Sequence, residues 1–590
     1  MTANNHIQIE RKVPSRVDSV IFRGKTALLQ IKRGLEDLIS KRVARHVKIS
    51  EPSELPVIAT SKTPLWTEIE PEERFLVAGK IHNLRLAVRQ LDGVEVPANE
   101  IFSFWKHVGR SSRFKGYVEG RELREGCIIP NIGGGLCQIS NALYDAALDA
   151  NFEIIERHAH TQVVTGSLAE KGRDATVFWN YVDLRFRSGK PFRIEAKLDD
   201  KNLVVRFGGE KQDAAVLHQI RRTVIQSDLP QSCATCEMGD CHRVVDPAEH
   251  RDFGRTAFLV DEFSPEFDCH ISSTSTTKDL LFVPLDGKRF KKQNYAWTTN
   301  GFGGFRQSIL VTAVRAYKSR KLAAQGKARQ LNLLAMYEKL AESYARKLQF
   351  DVLHVVVQQN LLPFLWENGH LGGRTFDVLM TALPMSEIQL RLDKAHLLHP
   401  ESTTLGDFRA RQSLVRAETE ALWHARKIVT PHSDVAELFG SRSDLIDWNI
   451  PPAKRLVPTQ NNKFRVVFPA ATVGRKGCYE LREALRGLDV TVVLLGPQIE
   501  GFNFWQGFDT QQGGEWLADA DLVILPAHVE HRPRRLLLAA ANGIPVIASK
   551  ACGVGNVEGI ESIDAGDAAL LREKILHHIA TIGGTAHSVT

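Results

Sequence analysis

The chain has 590 residues, 43% of them hydrophobic and 25% charged, with a formal net charge of +7. That length is too great for one hydrophobic core and calls for three or four domains, and the composition excludes disordered and collagen-like classes. So small a positive charge gives no nucleic-acid signature, and no run of about 18 apolar residues points to a transmembrane helix.

Residues 1–69 are expected to be a basic helical N-terminal segment. Its first residues lack the apolar region of a signal peptide, so the expected compartment is the cytoplasm. Within it, residues 19–45 space their apolar side chains as a helix does and carry a basic polar face. Such a helix packs on the next domain or lies on the anionic inner face of a membrane.

Residues 70–208 read as an α+β domain. Helices are expected over 72–91 and 138–150, and strands over 153–156, 175–181, 183–187, 192–198 and 203–207. Asn131-Ile-Gly-Gly-Gly-Leu-Cys137-Gln-Ile-Ser runs three glycines into a cysteine and the cysteine into a helix. A thiol there feels the positive end of the helix dipole, which favours the thiolate. Glu156-Arg-His158-Ala-His160 and Gly172-Arg-Asp174 follow on expected strands. Helix with cysteine, strand with histidine, strand with aspartate is a transglutaminase- or papain-like order of elements. It makes Cys137 a candidate nucleophile, His158 or His160 its base, and Asp174 the residue that orients the imidazole. Two histidines two positions apart on a strand share a face. His160 is preferred, but both stay open. The alternative for Cys137 is a small buried hydrophobe.

Residues 209–277 form a cysteine-rich connector. Cys233, Cys236 and Cys241 fall within nine residues, as metal ligands on a turn do. Their softness suits zinc or an iron–sulfur cluster. Cys269 is the expected fourth ligand, with His242, His250 and His270 behind it. A disulfide framework is not expected from eight cysteines in a cytosolic chain of this size.

From 278 the pattern changes to continuous apolar runs separated by helical stretches, the mark of parallel sheets covered on both faces. Two Rossmann-like units are expected, 278–455 and 456–580, with 581–590 as a flexible tail. The fold class is therefore multidomain α/β, with an α+β domain ahead of the connector.

Two resemblances add to this reading. Val96-Pro-Ala-Asn-Glu-Ile-Phe-Ser-Phe104, Val108-Gly-Arg110, Gly116-Tyr117, the Gly-Gly-Gly-Leu-Cys-Gln-Ile-Ser run, Glu156-Arg-His-Ala-His160 and Gly172-Arg-Asp-Ala-Thr176 resemble the VanW family over about 80–208. That resemblance implies a cell-envelope context in a bacterium and leaves the reaction open. Ala470-Ala-Thr-Val-Gly-Arg-Lys-Gly477, Ala518-Asp-Ala-Asp-Leu-Val-Ile-Leu-Pro526 and Leu536–Ser549 resemble the retaining GT-B glycosyltransferases. This second resemblance, over about 278–580, implies that Arg475 and Lys476 neutralise the diphosphate of a nucleotide-sugar donor. It also implies that Glu530 is the first of two cleft glutamates; the second position holds Leu538. His528, His531, Arg532, Arg534 and Arg535 crowd the same loop, as a phosphate site or as a solvated basic face.

Three functions follow. The first is glycosyl transfer from a nucleotide sugar to a glycan or envelope-related acceptor. The second is a thiol-dependent hydrolase or acyl transferase centred on Cys137. The third is non-catalytic binding of saccharide or nucleotide.

Overall fold

Alternating burial shapes strands such as Asn202–Gly209 in the first part of the chain, and wholly buried strands such as Leu280–Val283, Leu522–Leu525 and Val546–Ser549 lie inside the second. The computed structural model describes residues 16–40, 43–49, 54–66, 73–124, 127–160, 167–212, 231–232, 253–322, 326–454 and 463–586. They group into two units, one of residues 1–256, 348–354 and 367–375, the other of the remainder.

The first unit opens with helix α1 (Arg16–Ser40) and strand β1 (Val57–Pro64), followed by helix α2 (Arg74–Leu91). Next come β2 (Val94–Val96), β3 (Ile101–Ser103), helix α3 (Phe104–Val108), β4 (Glu119–Arg124) and β5 (Cys127–Ile132). Helix α4 (Cys137–Asp149) precedes β6 (Glu153–Glu156), β7 (Arg185–Arg187), β8 (Phe192–Leu198) and β9 (Asn202–Gly209). Strands β1, β9, β8 and β2 form an antiparallel sheet in that order, and β3, β7 and β6 a second. Leu203, Val205 and Phe207 of β9 all face the core, as period-two alternation requires. Helix α2 buries Val77, Ile81, Leu84, Val88 and Leu91, one stripe at helical spacing. Phe152, Phe186, Phe192 and Phe207 meet at the centre, with Phe152 and Phe207 stacked 5.3 Å apart.

Helix α1 is tied to this unit by its polar groups. Arg33 pairs with Glu156, Arg185 grips Asp37 at 2.9 and 3.0 Å, and Asn180 Nδ2 donates to the Gln30 carbonyl at 2.8 Å. Val20, Leu28 and Ile31 stay exposed. No helix among the described residues is long and apolar enough to cross a membrane.

The expected strand over 175–181 is not one. Thr176 bridges His158 and Phe178 bridges Val182, and Asn180, at φ +57°, reverses the chain. Asparagine tolerates that left-handed conformation, so a turn replaces the strand.

The second unit carries two parallel sheets. The first orders its strands Gly304–Gln307, Leu280–Val283, Arg255–Leu259, Val352–Gln358, Thr375–Leu379, Lys427–Thr430 and Ser443–Leu445. In chain order this is 3-2-1-4-5-6-7. The second orders Asp509–Gln512, Val490–Leu494, Phe464–Phe468, Leu522–Leu525, Val546–Ser549 and Ile560–Ile563, or 3-2-1-4-5-6. Both are doubly wound orders, whose ligands sit outside the strand carboxyl ends where the order reverses. Arg255–Leu259 is a central strand, so the first parallel sheet starts ahead of the expected boundary at 278. Residues 568–586 are helical, so helix runs into the expected tail.

Candidate active site

Cys137 begins α4. Each glycine before it answers a geometric demand. Gly133 and Gly135 sit at φ +79° and +98°, where L side chains are strained. A Cβ on Gly134 would stand 2.3 Å from the Gly120 carbonyl oxygen. The run is therefore a tight turn pressed on β4, and it delivers Cys137 at a helix start that no side chain caps.

Helix α4 holds the segment that supplies the aspartate. Ser140 Oγ donates to the Ala175 carbonyl at 2.6 Å, and the Ala175 amide donates to Asn141 Oδ1 at 2.8 Å. Cys137 Sγ lies 3.8 Å from the Val177 carbonyl. The Thr176 amide donates to the His158 carbonyl at 2.7 Å, which brings the histidine segment alongside.

Asp174 is fully buried, and His160 and Arg157 both bind its carboxylate. Oδ2 accepts from His160 Nδ1 at 2.8 Å and from the His160 amide at 2.7 Å; Oδ1 accepts from Arg157 Nη2 at 2.9 Å. Burial opposes charge on His160. Hydrogen bonds to Asp174 and Cys137, with their negative charge, outweigh it and lift the imidazole to about 9. His160 and Asp174 are thus hydrogen-bonded, and Cys137 stands near enough to His160 to help raise it, which brings the three together. His158 stands apart: its side chain is 54% exposed and points Nε2 at Glu156, 3.6 Å away.

In the second unit, Arg475 and Lys476 lie on the loop after strand Phe464–Phe468, at the point where strand order reverses. Lys476 Nζ contacts Glu530 Oε2 at 2.8 Å, and both side chains are buried. Burial favours a neutral Glu530, but the Lys476 charge and the loop hydrogen bonds outweigh it and hold the carboxyl down at about 2. The Gly474 amide donates to Glu500 Oε1 at 2.6 Å. Arg475 stacks its guanidinium 5.0 Å from the Phe408 ring centre. Leu538 packs against the core of this half.

The basic loop is neither a solvated face nor a free phosphate cradle. Arg532 pairs with Glu262 at 2.6 Å, Arg534 with Glu266 at 2.6 Å and His528 with Glu480 at 2.8 Å. Arg535 donates to the Pro469 carbonyl at 2.7 Å. Burial first, then repulsion from Lys476, drives His531 down to about 4, so it is neutral.

Cys233, Cys236 and Cys241, with His242 and His250, lie outside the described residues. Cys269 is exposed on helix Pro265–Thr274. Among the described residues no group of three or more His, Cys, Asp or Glu is placed to hold a metal.

Residues 79–208 match the family model described as VanW like protein. Those residues are a VanW-like domain. The uncharacterized protein YoaR of Bacillus subtilis is 37% identical over 130 residues, 22% of this chain and 40% of YoaR. The vancomycin B-type resistance protein VanW of Enterococcus faecalis is 32% identical over 155 residues, 25% of this chain and 55% of that protein. The chain thus spans well under two thirds of either relative. Among solved structures, sucrose-phosphate synthase of Thermosynechococcus elongatus is 13% identical, with a TM-score of 0.36, over 55% of this chain and 90% of its own. HepE of Anabaena, solved with UDP and glucose, is 15% identical with a TM-score of 0.33 over the same shares.

The three-residue series lies wholly inside the VanW-like domain. Arg157, not singled out from sequence, completes it: its guanidinium binds Asp174 and lies 5.0 Å from the Tyr144 ring centre. Its place beside His158 was the only sequence signal. Glu500 and Glu480, which bind the loops of the second half, carried none.

Proposed function

We propose that the VanW-like domain is a thiol-dependent hydrolase or acyl transferase. The observation that carries this is the 2.8 Å bond from His160 Nδ1 to buried Asp174, in a histidine that Cys137 also helps raise. Asp174 occupies Nδ1, so Nε2 is the nitrogen that meets the thiol. His160, lifted to about 9, already stands as the imidazolium at neutral pH, so the Cys137 sulfur attacks an acyl carbonyl carbon as the thiolate of an ion pair. The bond to the leaving group breaks, and the imidazolium returns the proton to that group. Water or an acceptor nucleophile then attacks the thioester, losing its proton to His160, and Cys137 is restored. The transglutaminase- or papain-like order of helix, histidine and aspartate supports the same reading. An envelope-related acyl group is the substrate class we favour, given the relative named for vancomycin resistance.

The test is acylation of the full chain by an activated ester, mapped by peptide mass spectrometry. We expect an adduct on Cys137, none there in Cys137→Ser, and formation at least about tenfold slower in His160→Ala. Acylation of Cys137 that is indifferent to His160 would remove the proposal.

A second reading places a nucleotide-sugar donor at the order reversal of the second parallel sheet, with a glycan or envelope-related acceptor. It is favoured by the position of Arg475 and Lys476 at that carboxyl-end loop. A bound donor has to compete with Glu530 for Lys476 and with Glu500 for the Gly474 amide. A panel of nucleotide sugars is expected to raise the melting temperature of the full chain by linkage, and Arg475→Ala to reduce the gain. If no member of the panel shifts the transition, the GT-B-like half binds no such donor.

A further inference from the structure

The first unit contains a concentration of positive charge that the thiol site does not use. Helix α2 carries His82, Arg85 and Arg89 at three- and four-residue spacing, on one face. The segment 367–375 of the same unit adds His370 and Arg374.

Arg85 and Arg374 are 4% and 3% exposed. Arg374 donates only to main-chain carbonyls, those of Val352 at 2.9 Å, His370 at 2.7 Å and Gln349 at 2.8 Å. Arg85 Nε donates to the Gly372 carbonyl, while its buried Nη1 has no partner. Arg89, half-buried, reaches the Arg85 carbonyl at 3.3 Å through Nε and His370 Nδ1 at 3.4 Å through Nη1. None of these bonds neutralises charge. The carboxylate whose charge reaches Arg374 is Asp351, and Arg255 already binds it. Among the described residues, no carboxylate lies within ion-pair distance of Arg85, Arg89 or Arg374.

Burial, and then the neighbouring guanidiniums, push His82 and His370 down to about 3. Both rings are therefore neutral at physiological pH; His82 donates its one N–H to the Gly116 carbonyl at 3.1 Å, whereas His370 accepts from Arg89 at Nδ1 and has Nε2 as its donor. Buried charges in proteins are paired or neutralised, and guanidinium groups suit oxyanions by their planar, forked donors. We infer that Arg85, Arg89 and Arg374 form a binding site for a tetrahedral oxyanion of the phosphate class, with His370 beside them. The unpartnered Nη1 of Arg85 supplies a buried donor, and Arg89 and His370 are the partly exposed members. The shared chemistry is a phosphate group, either free or as a phosphomonoester.

Calorimetric titration of the full chain with inorganic phosphate, glycerol 3-phosphate and acetate tests this. We expect saturable binding of at least one of the two phosphates and none of acetate. Binding of inorganic phosphate identifies the free ion as a sufficient ligand; binding of the ester alone identifies an organic phosphate. Arg89→Met and Arg374→Met are each expected to weaken binding at least about tenfold. Arg89 is half-buried, so its variant keeps the test open if Arg374→Met does not fold. No binding of either phosphate, equal binding of acetate, or binding indifferent to Arg89→Met each overturns the inference.

Discussion

Asp174→Asn is expected to slow alkylation of Cys137 at pH 6.5 at least about tenfold and to destabilise the VanW-like domain by roughly 3 kcal/mol. The substitution keeps the shape and removes the charge that His160 and Arg157 share. Arg157 is 5% exposed and would be left with no carboxylate at that position. The pH dependence has a definite sign. His160 is raised to about 9 in the folded chain, above the ordinary histidine value near 6.5. Its contribution to stability is therefore fully present below about pH 6.5 and is lost as pH rises through about 9. The stability gap between wild type and Asp174→Asn should accordingly narrow between about pH 6 and pH 9.5, leaving the part due to Arg157. Urea denaturation at several pH values, with iodoacetamide kinetics at Cys137 alongside, measures both quantities. A gap that is constant across that range would mean that His160 does not carry the charge assigned to it.

Lys476→Met is expected to cost about 3–5 kcal/mol, because it leaves the Glu530 carboxylate buried without its cation. Glu530 is 8% exposed and still holds the amides of His531 and Arg532 at 2.8 Å, so the loop keeps its shape while the charge goes unpaired. The double variant Lys476→Met with Glu530→Gln should recover most of the loss, since the glutamine carries no charge and can still accept from one of the amides. Glu530 is held down at about 2, so its contribution is present above its ordinary value near 4.5 and is lost only as pH falls through about 2. The penalty in Lys476→Met should therefore be undiminished from pH 6 to 8. Denaturation midpoints of the two variants and wild type decide this, and a single variant within about 1 kcal/mol of wild type would place the pair in a solvated setting instead. The same pair bears on the nucleotide-sugar reading. If Lys476 takes a diphosphate, Glu530 must release it, and Glu530→Gln is then expected to tighten donor binding rather than abolish it.

Some of this was legible in the chain. Three glycines before Cys137 announce a turn that starts a helix, because left-handed backbone and close approach are local demands that glycine meets alone. The strand Phe464–Phe468 and the wholly buried strand Leu522–Leu525 were plain as apolar runs, and the loop bearing Arg475 and Lys476 was plain between them. Other features were not local. His158 and His160 looked equivalent because alternation gave them one face. The chain leaves its extended path after His158, and the His160 amide bonds Asp174 instead of a neighbouring strand, so only His160 meets the thiol. The basic loop looked free because its partners lie far off in sequence: Glu262 is 270 residues from Arg532, and Glu266 is 268 from Arg534. The arginines of α2 carried no signal in the sequence, because their partners in the segment 367–375 lie 281 and 287 residues away. By itself, the sequence determined where helices start, which strands are buried and which residue types stand at the turns, since backbone sterics and short-range periodicity decide those. Which charges are neutralised, which histidine meets Cys137 and which arginines are left without a carboxylate were decided by the tertiary structure alone, because Coulomb energy and desolvation depend on distances in space that chain separation does not encode.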